Sequence, residues 1–305
     1  MRSDSMRNET LPVPAGIPGG TFPSQPLEHL DALWIQVAGT FCNLTCTHCF
    51  VPSGPGVTRH ALMSRDEVGG RVSEALELGV REFYFTGGEP FVHPELLEIL
   101  ADTLAHGPVT VLTNGLLFTD ARLERLASLA DGSRYSLELR VSLDGPDARS
   151  HDVIRGAGTF ERALDGLRRL EAAGLLPIVT VTRDLEDDPQ TVCARYVDLL
   201  RRAGLSRPRL KILPLFQLGR EVERTRPYAG HETLRDLPEA EFDAARLQCK
   251  SCRAVTANGV YVCPLLVDER DARLSDRLAG ALEPFPLRHG ACYTCYVTGM
   301  TCGNG

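Results

Sequence analysis

A chain of 305 residues that is 43% hydrophobic and 24% charged has globular composition. That excludes collagen, low-complexity repeats and wholesale disorder. No apolar run approaches the roughly eighteen residues a spanning helix needs, and the start lacks an export signal, so the expectation is a soluble cytoplasmic protein with no membrane partner. With 33 basic against 40 acidic residues and a formal net charge of -7, it is not built for nucleic acid; a cationic or neutral small substrate suits it better.

Residues 1–28, with Pro12, Pro14, Pro18, Pro23 and Pro26, predict a flexible arm. From Leu33, short β-rich runs alternate with amphipathic ones, the pattern of strand–helix units building a parallel sheet. The first strand is expected at 33–37. A helix follows, capped by Ser64 with Glu67 reaching back and ending near Gly79. Strands at 82–86 and 109–112 flank a helix with Pro94 at its first position and Gly107 past its end. A helix over 120–130, a strand over 137–143, a helix through Phe160, Leu164, Leu167 and Leu170 closed by Gly174, a strand over 178–182, a helix from Pro189 to Gly204 and a strand over 210–213 complete the series. Six units fall short of the eight that close a barrel. The expected fold is α/β: a partial (β/α)6 TIM-like barrel over 29–213, a charged bridging segment over 214–247 and a small cysteine-rich domain over 248–305, with ligands at the C-terminal ends of the strands.

Ten cysteines in a chain without an export signal point to metal or iron–sulfur ligation rather than disulfides. They form two centres: Cys42, Cys46 and Cys49 near the start, and Cys249, Cys252, Cys263, Cys292, Cys295 and Cys302 near the end. Cys193 stands alone on a helix and reads as core. Three thiols at C-x3-C-x2-C on one short loop can hold three corners of a [4Fe-4S] cluster and leave the fourth iron open to a small molecule. A zinc knuckle is the plainer reading of the same spacing.

The cysteine loop after a first strand, followed by Thr86-Gly87-Gly88-Glu89-Pro90 at the end of the second, resembles the radical S-adenosylmethionine (SAM) superfamily over residues 33 to 213. The resemblance implies that SAM chelates the open iron and is split to a 5'-deoxyadenosyl radical. It also implies SAM contacts from Phe50, Gly87, Gly88, Glu89, Pro90, Thr113, Asn114, Ser142, Asp144 and Arg155, with Glu89 accepting from the ammonium and Arg155 pairing with the carboxylate. An electron donor such as a flavodoxin or ferredoxin is implied as partner.

The C-terminal cysteines resemble the auxiliary-cluster domains of that superfamily, called SPASM when full and twitch when truncated. The full cysteine series is absent, and Gly259 stands one residue nearer Cys263 than usual. One auxiliary [4Fe-4S] cluster on Cys252, Cys263, Cys292 and Cys295 is expected, with Cys302 spare or substituting for a ligand; a zinc ribbon is the structural alternative.

Length, truncated C-terminus and final cysteine run are similar to the radical SAM epimerases of aminoglycoside biosynthesis, which invert one amino-sugar carbon, as in the conversion of neomycin C to neomycin B. That likeness implies an isomerase that consumes SAM, with Cys249 as the catalytic hydrogen donor facing the radical pocket. Asp184, Glu186, Asp187, Asp188, Glu221 and Glu223 would supply an acidic lining for the cationic aminoglycoside. A twitch-type dehydrogenase of an amino-sugar or cyclitol alcohol, a SPASM peptide maturase, and a zinc-binding scaffold without catalysis are the other readings.

Overall fold

A computed structural model describes residues 20–300, 302 and 303. Strand β1 (Ser24–Gln25) is followed by the six barrel strands: β2 (Ala32–Ile35), β3 (Glu82–Phe85), β4 (Val109–Thr113), β5 (Leu137–Ser142), β6 (Ile178–Arg183) and β7 (Arg209–Pro214). Helices α1 (Arg65–Glu77), α2 (Leu96–Leu104), α3 (Asp120–Gly132), α4 (Ala148–Arg155), α5 (Thr159–Ala172) and α6 (Pro189–Arg202) connect them. Beyond lie a short helix α7 (Arg220–Arg224), strands β8 (Cys252–Thr256), β9 (Gly259–Tyr261), β10 (Arg273–Ser275) and β11 (Phe285–Pro286), and helix α8 (Gly290–Thr298).

Strands β2 to β7 pair in chain order and in parallel, and the sheet stays open, so the fold is the partial α/β barrel. Strand alternation assigns the two faces. Leu33, Ile35, Phe83, Phe85, Val109, Val111, Leu139, Val141, Val179 and Val181 enter the core shared with the helices. The residues of opposite phase, Trp34, Leu112, Arg140, Ser142, Thr180 and Thr182, line a cavity on the inner face. Trp34 stacks on Tyr84 at 4.3 Å between ring centroids.

Strand β8 adds to the β2 edge in parallel, with Ala32 opposite Cys252, and β9 and β10 continue antiparallel, giving one nine-stranded sheet. The C-terminal cysteine region is thus stitched into the barrel sheet. Residues 1–19 of the expected arm lie outside the described residues; within the remainder, Ser24–Gln25 pairs with Phe285–Pro286.

The Ser64 capping box is present, with Glu67 accepting from the Ser64 amide at 2.7 Å. Two expectations change. Pro94 does not open α2, because Pro90–Val92 forms a separate 3-10 turn and the helix starts at Leu96. Helix α4 was missed; Asp147 caps it by accepting from the Ser150 amide. No helix among the described residues is long and apolar enough to cross a membrane.

Candidate active site

The three-cysteine loop leaves the C-terminal end of β2 and is held from several sides. The Thr47 amide donates to the Ile154 carbonyl of α4 at 2.9 Å. Arg220 donates from its amide to the Cys49 carbonyl at 3.0 Å and from Nη1 to the Cys46 carbonyl at 2.9 Å. Gly219, at φ +55°, lets this clamp approach: a Cβ there would lie 2.5 Å from the carbonyl oxygens of Cys49 and Phe50.

Gly88 has its reason in the same loop. A Cβ at this position would stand 1.9 Å from the Phe41 carbonyl oxygen and 3.0 Å from the Cys42 Cβ. The amides of Gly88 and Glu89 donate to Gly39 and Phe41 at 2.9 and 2.8 Å. Gly88→Ala is therefore expected to displace the cysteine loop and at least halve the iron retained there, measured as iron per chain after anaerobic reconstitution.

Glu89 is fully buried and does not line the cavity. Its carboxylate accepts from Phe91 N at 3.0 Å, Thr113 Oγ1 at 2.7 Å and Asn114 N at 2.7 Å, tying the β3 and β4 ends together. Burial pushes this carboxyl up against those bonds. Pro90 likewise lies away from the cavity, starting the buried turn. The other expected contacts, Phe50, Gly87, Gly88, Thr113, Asn114, Ser142, Asp144 and Arg155, all line it, together with Cys42, Cys46 and Cys49. Its volume is about 210 Å³.

Asp144 organises one wall. Its Oδ2 accepts from Arg155 Nε and from His48 Nε2 at 2.9 Å, and its Oδ1 from Thr182 Oγ1 at 2.9 Å. Burial alone would raise this carboxyl, but the Arg155 charge and then His48 outweigh it and hold Asp144 well below the usual carboxylate range. Asp144 in turn overcomes the burial of Arg155 and keeps that guanidinium charged. Burial, then Arg155, holds His151 down to about 4, so its ring is neutral. With Nε engaged, the two Nη groups of Arg155 make no hydrogen bond to the described residues and remain for a ligand carboxylate.

Sequence reasoning overlooked Asn43, whose Oδ1 accepts from Asn114 Nδ2 at 2.8 Å, as well as His48, Thr182 and Arg220. Asn43 and His48 stand within the cysteine loop itself, a signal that was available.

The C-terminal cysteines converge. Cys252 starts β8 and Cys263 follows β9, so the hairpin presents both; Cys292 and Cys295, one turn apart on α8, face them in one buried cluster that also holds Cys249 and Cys302. Among the described residues no three of these sulfurs lie within 4.8 Å of one another.

Three placements differ from expectation. Cys302 lines the cavity, while Cys249 does not and belongs to the buried cluster that also holds Leu247, Cys252 and Phe285. Cys193 is half-buried on α6 and outside both cores. None of Asp184, Glu186, Asp187, Asp188, Glu221 and Glu223 lines the cavity. Glu221 pairs with Arg224 at 2.7 Å, and Asp188 caps α6. The cavity wall carries Arg140 and Arg155 against the single carboxylate of Asp144.

Residues 37–185 match the family model described as the radical SAM superfamily. This segment, just under half of the chain, is similar to radical SAM domains. A mycofactocin maturase, MftC, of Mycobacterium tuberculosis is 33% identical over 170 residues, covering 52% of this chain and 41% of that one. An AdoMet-dependent heme synthase of Methanosarcina barkeri is 36% identical over 163 residues, covering 52% and 44%. The chain thus aligns with less than half the length of either relative. Among solved structures, Streptococcus suis SuiB bound to S-adenosylmethionine superposes with a TM-score of 0.59 at 16% identity, over 80% of this chain and 63% of that one, which shows a shared fold. Radical SAM domains bind SAM and a [4Fe-4S] cluster. The donor set fits them: three unpaired thiols on one loop, a Gly-Gly turn beneath it and an open cavity ending in free guanidinium donors.

Proposed function

We propose that this chain is a radical SAM epimerase that inverts one carbon of an aminoglycoside amino sugar, neomycin C to neomycin B, with a cysteine thiol returning the hydrogen. The observation that carries the reading is the thiol surplus. Six cysteines stand in the C-terminal group where a cubane takes four, and one of them, Cys302, lines the cavity with Ala254, Pro264, Leu265 and Val267 of the same region.

Cys42, Cys46 and Cys49 would hold one cluster; Cys252, Cys263, Cys292 and Cys295 would hold the auxiliary one. When bound, the first cluster and SAM supply a 5'-deoxyadenosyl radical that removes hydrogen from one face of the sugar carbon. The chain's part is to flank that carbon with a second hydrogen source on the opposite face. A hydrogen donor must be a neutral S–H, and burial pushes the Cys249 thiol up to about 11. Burial pushes the Cys302 thiol up as well, against the opposing Arg140 charge, so the protonation state does not separate the two; Cys249 is the donor we assign from the resemblance, and Cys302, which lines the cavity, is the alternative. Delivery breaks its S–H bond, forms the inverted C–H bond and leaves a sulfur-centred radical. One electron and one proton, the electron from a flavodoxin- or ferredoxin-class reductant, restore the thiol.

A second reading, SPASM-type peptide maturation, is favoured by the relatives, since one of them is a mycofactocin maturase. Incubation of the anaerobic, reduced protein with SAM and neomycin C in D2O separates the two. Epimerisation adds one deuterium at the inverted carbon and consumes one SAM per turnover. Cys249→Ala should cleave SAM at a rate within about threefold of wild type while inversion falls about 10³-fold or more. Inversion by Cys249→Ala at the normal rate, with loss in Cys302→Ala, would transfer the donor role. Absence of any sugar product would favour the maturase.

A further inference from the structure

Arg140 on β5 and Arg253 on β8 are each 1% exposed, and neither has a carboxylate partner among the described residues. Arg253 donates from Nη1 to the carbonyls of Cys249 at 2.9 Å and Cys252 at 2.8 Å, from Nε to the carbonyl of Ala281 at 2.7 Å, and from Nη2 to the carbonyl of Glu283 at 3.5 Å. Arg140 donates from Nε to Thr180 Oγ1 at 3.2 Å and from Nη1 to the Cys302 carbonyl, while its Nη2 has no partner. Every partner is neutral.

A buried ion without a counter-charge costs several kcal/mol even after relaxation, and carbonyl dipoles recover only part of it. Both guanidiniums nonetheless bond the backbone of the C-terminal cysteines: Arg253 that of Cys249 and Cys252, and Arg140, from the cavity wall, that of Cys302. Ligating thiolates around an iron–sulfur cluster carry a net negative charge that grows on reduction, so cations placed here stabilise the reduced state most.

We propose that Arg253 and Arg140 are the counter-charges of an auxiliary cluster held by the C-terminal cysteines, and that they raise its reduction potential. The inference rests on the auxiliary-cluster reading above and adds to it the residues that tune the cluster.

The test uses the full chain with Cys42, Cys46 and Cys49 replaced by Ala, so that only the C-terminal cluster is read. Its midpoint is followed by redox titration with electron paramagnetic resonance detection. Arg253→Met and Arg140→Met should each make reduction at least tenfold less favourable, a shift of about 59 mV to more negative potential for one electron. Arg253→Lys, which keeps the charge, should stay near the parent value. Should a Met variant fail to retain iron, Arg253→Gln and Arg140→Gln keep hydrogen-bonding capacity without charge and give the same reading. An unchanged midpoint in a charge-removing variant that holds iron overturns the role of that arginine and leaves the cluster reading intact. Absence of iron from the parent triple variant overturns both.

Discussion

Replacing Cys49 by Ala should abolish SAM cleavage, lowering 5'-deoxyadenosine formation by about 10³-fold or more, which corresponds to about 4 kcal/mol of lost transition-state stabilisation. The loop brings only three thiols to the cavity beside Gly87 and Gly88, and among them none is a spare. Loss of one leaves two irons without protein sulfur. Cys42→Ala and Cys46→Ala should behave alike. Cys193→Ala is the control: its thiol lies on α6, outside both cores and the cavity, and cleavage should be unchanged. Chromatographic measurement of 5'-deoxyadenosine together with iron content checks the set.

Arg155→Met carries the second-largest effect, on stability. Asp144 is fully buried and Arg155 is its strongest partner, with His48 and Thr182 completing the shell. Removing the guanidinium leaves a buried carboxylate short of charge compensation, at a cost of about 3–5 kcal/mol. Urea unfolding at neutral pH measures it. The pH dependence has a defined sign. A carboxyl held below its unfolded value of about 3.9 contributes stability that is present above that pH and is lost as pH falls through the lower folded value. The wild-type advantage over Arg155→Met should therefore be full at neutral pH and shrink only in strong acid. A variant as stable as wild type at neutral pH would remove Arg155 as the partner that keeps Asp144 ionised.

Much of the fold was legible because strand alternation and helix periodicity are local. Leu33 and Ile35 against Trp34, or Val179 and Val181 against Thr180, separate the helix-facing core from the cavity wall at a period of two. The cysteine loop and the Gly-Gly turn were legible because their residues are close in sequence. What escaped depends on contacts between distant segments. Arg220 reaches the Cys46 carbonyl across 174 positions, and His48 reaches Asp144 across 96. No local pattern announces either contact. Gly88 was expected only as a SAM contact; its missing Cβ also makes room for the Phe41 carbonyl. The acidic residues of 184–188 and 221–223 were grouped by composition alone; in the structure none of them lines the cavity, Asp188 caps α6 and Glu221 pairs with Arg224. The continuous sheet from β7 to β10 could not be anticipated, because β8 pairs with β2 across more than two-thirds of the chain.

The central claim is that Cys42, Cys46 and Cys49 form a site at which SAM is reductively cleaved. The direct measurement is 5'-deoxyadenosine and methionine released when the anaerobically reconstituted, reduced protein meets SAM. The account predicts both products in equal amounts from wild type and neither from Cys49→Ala. Iron-loaded wild-type protein that leaves SAM intact, or a Cys49→Ala variant that cleaves it at the wild-type rate, would contradict it.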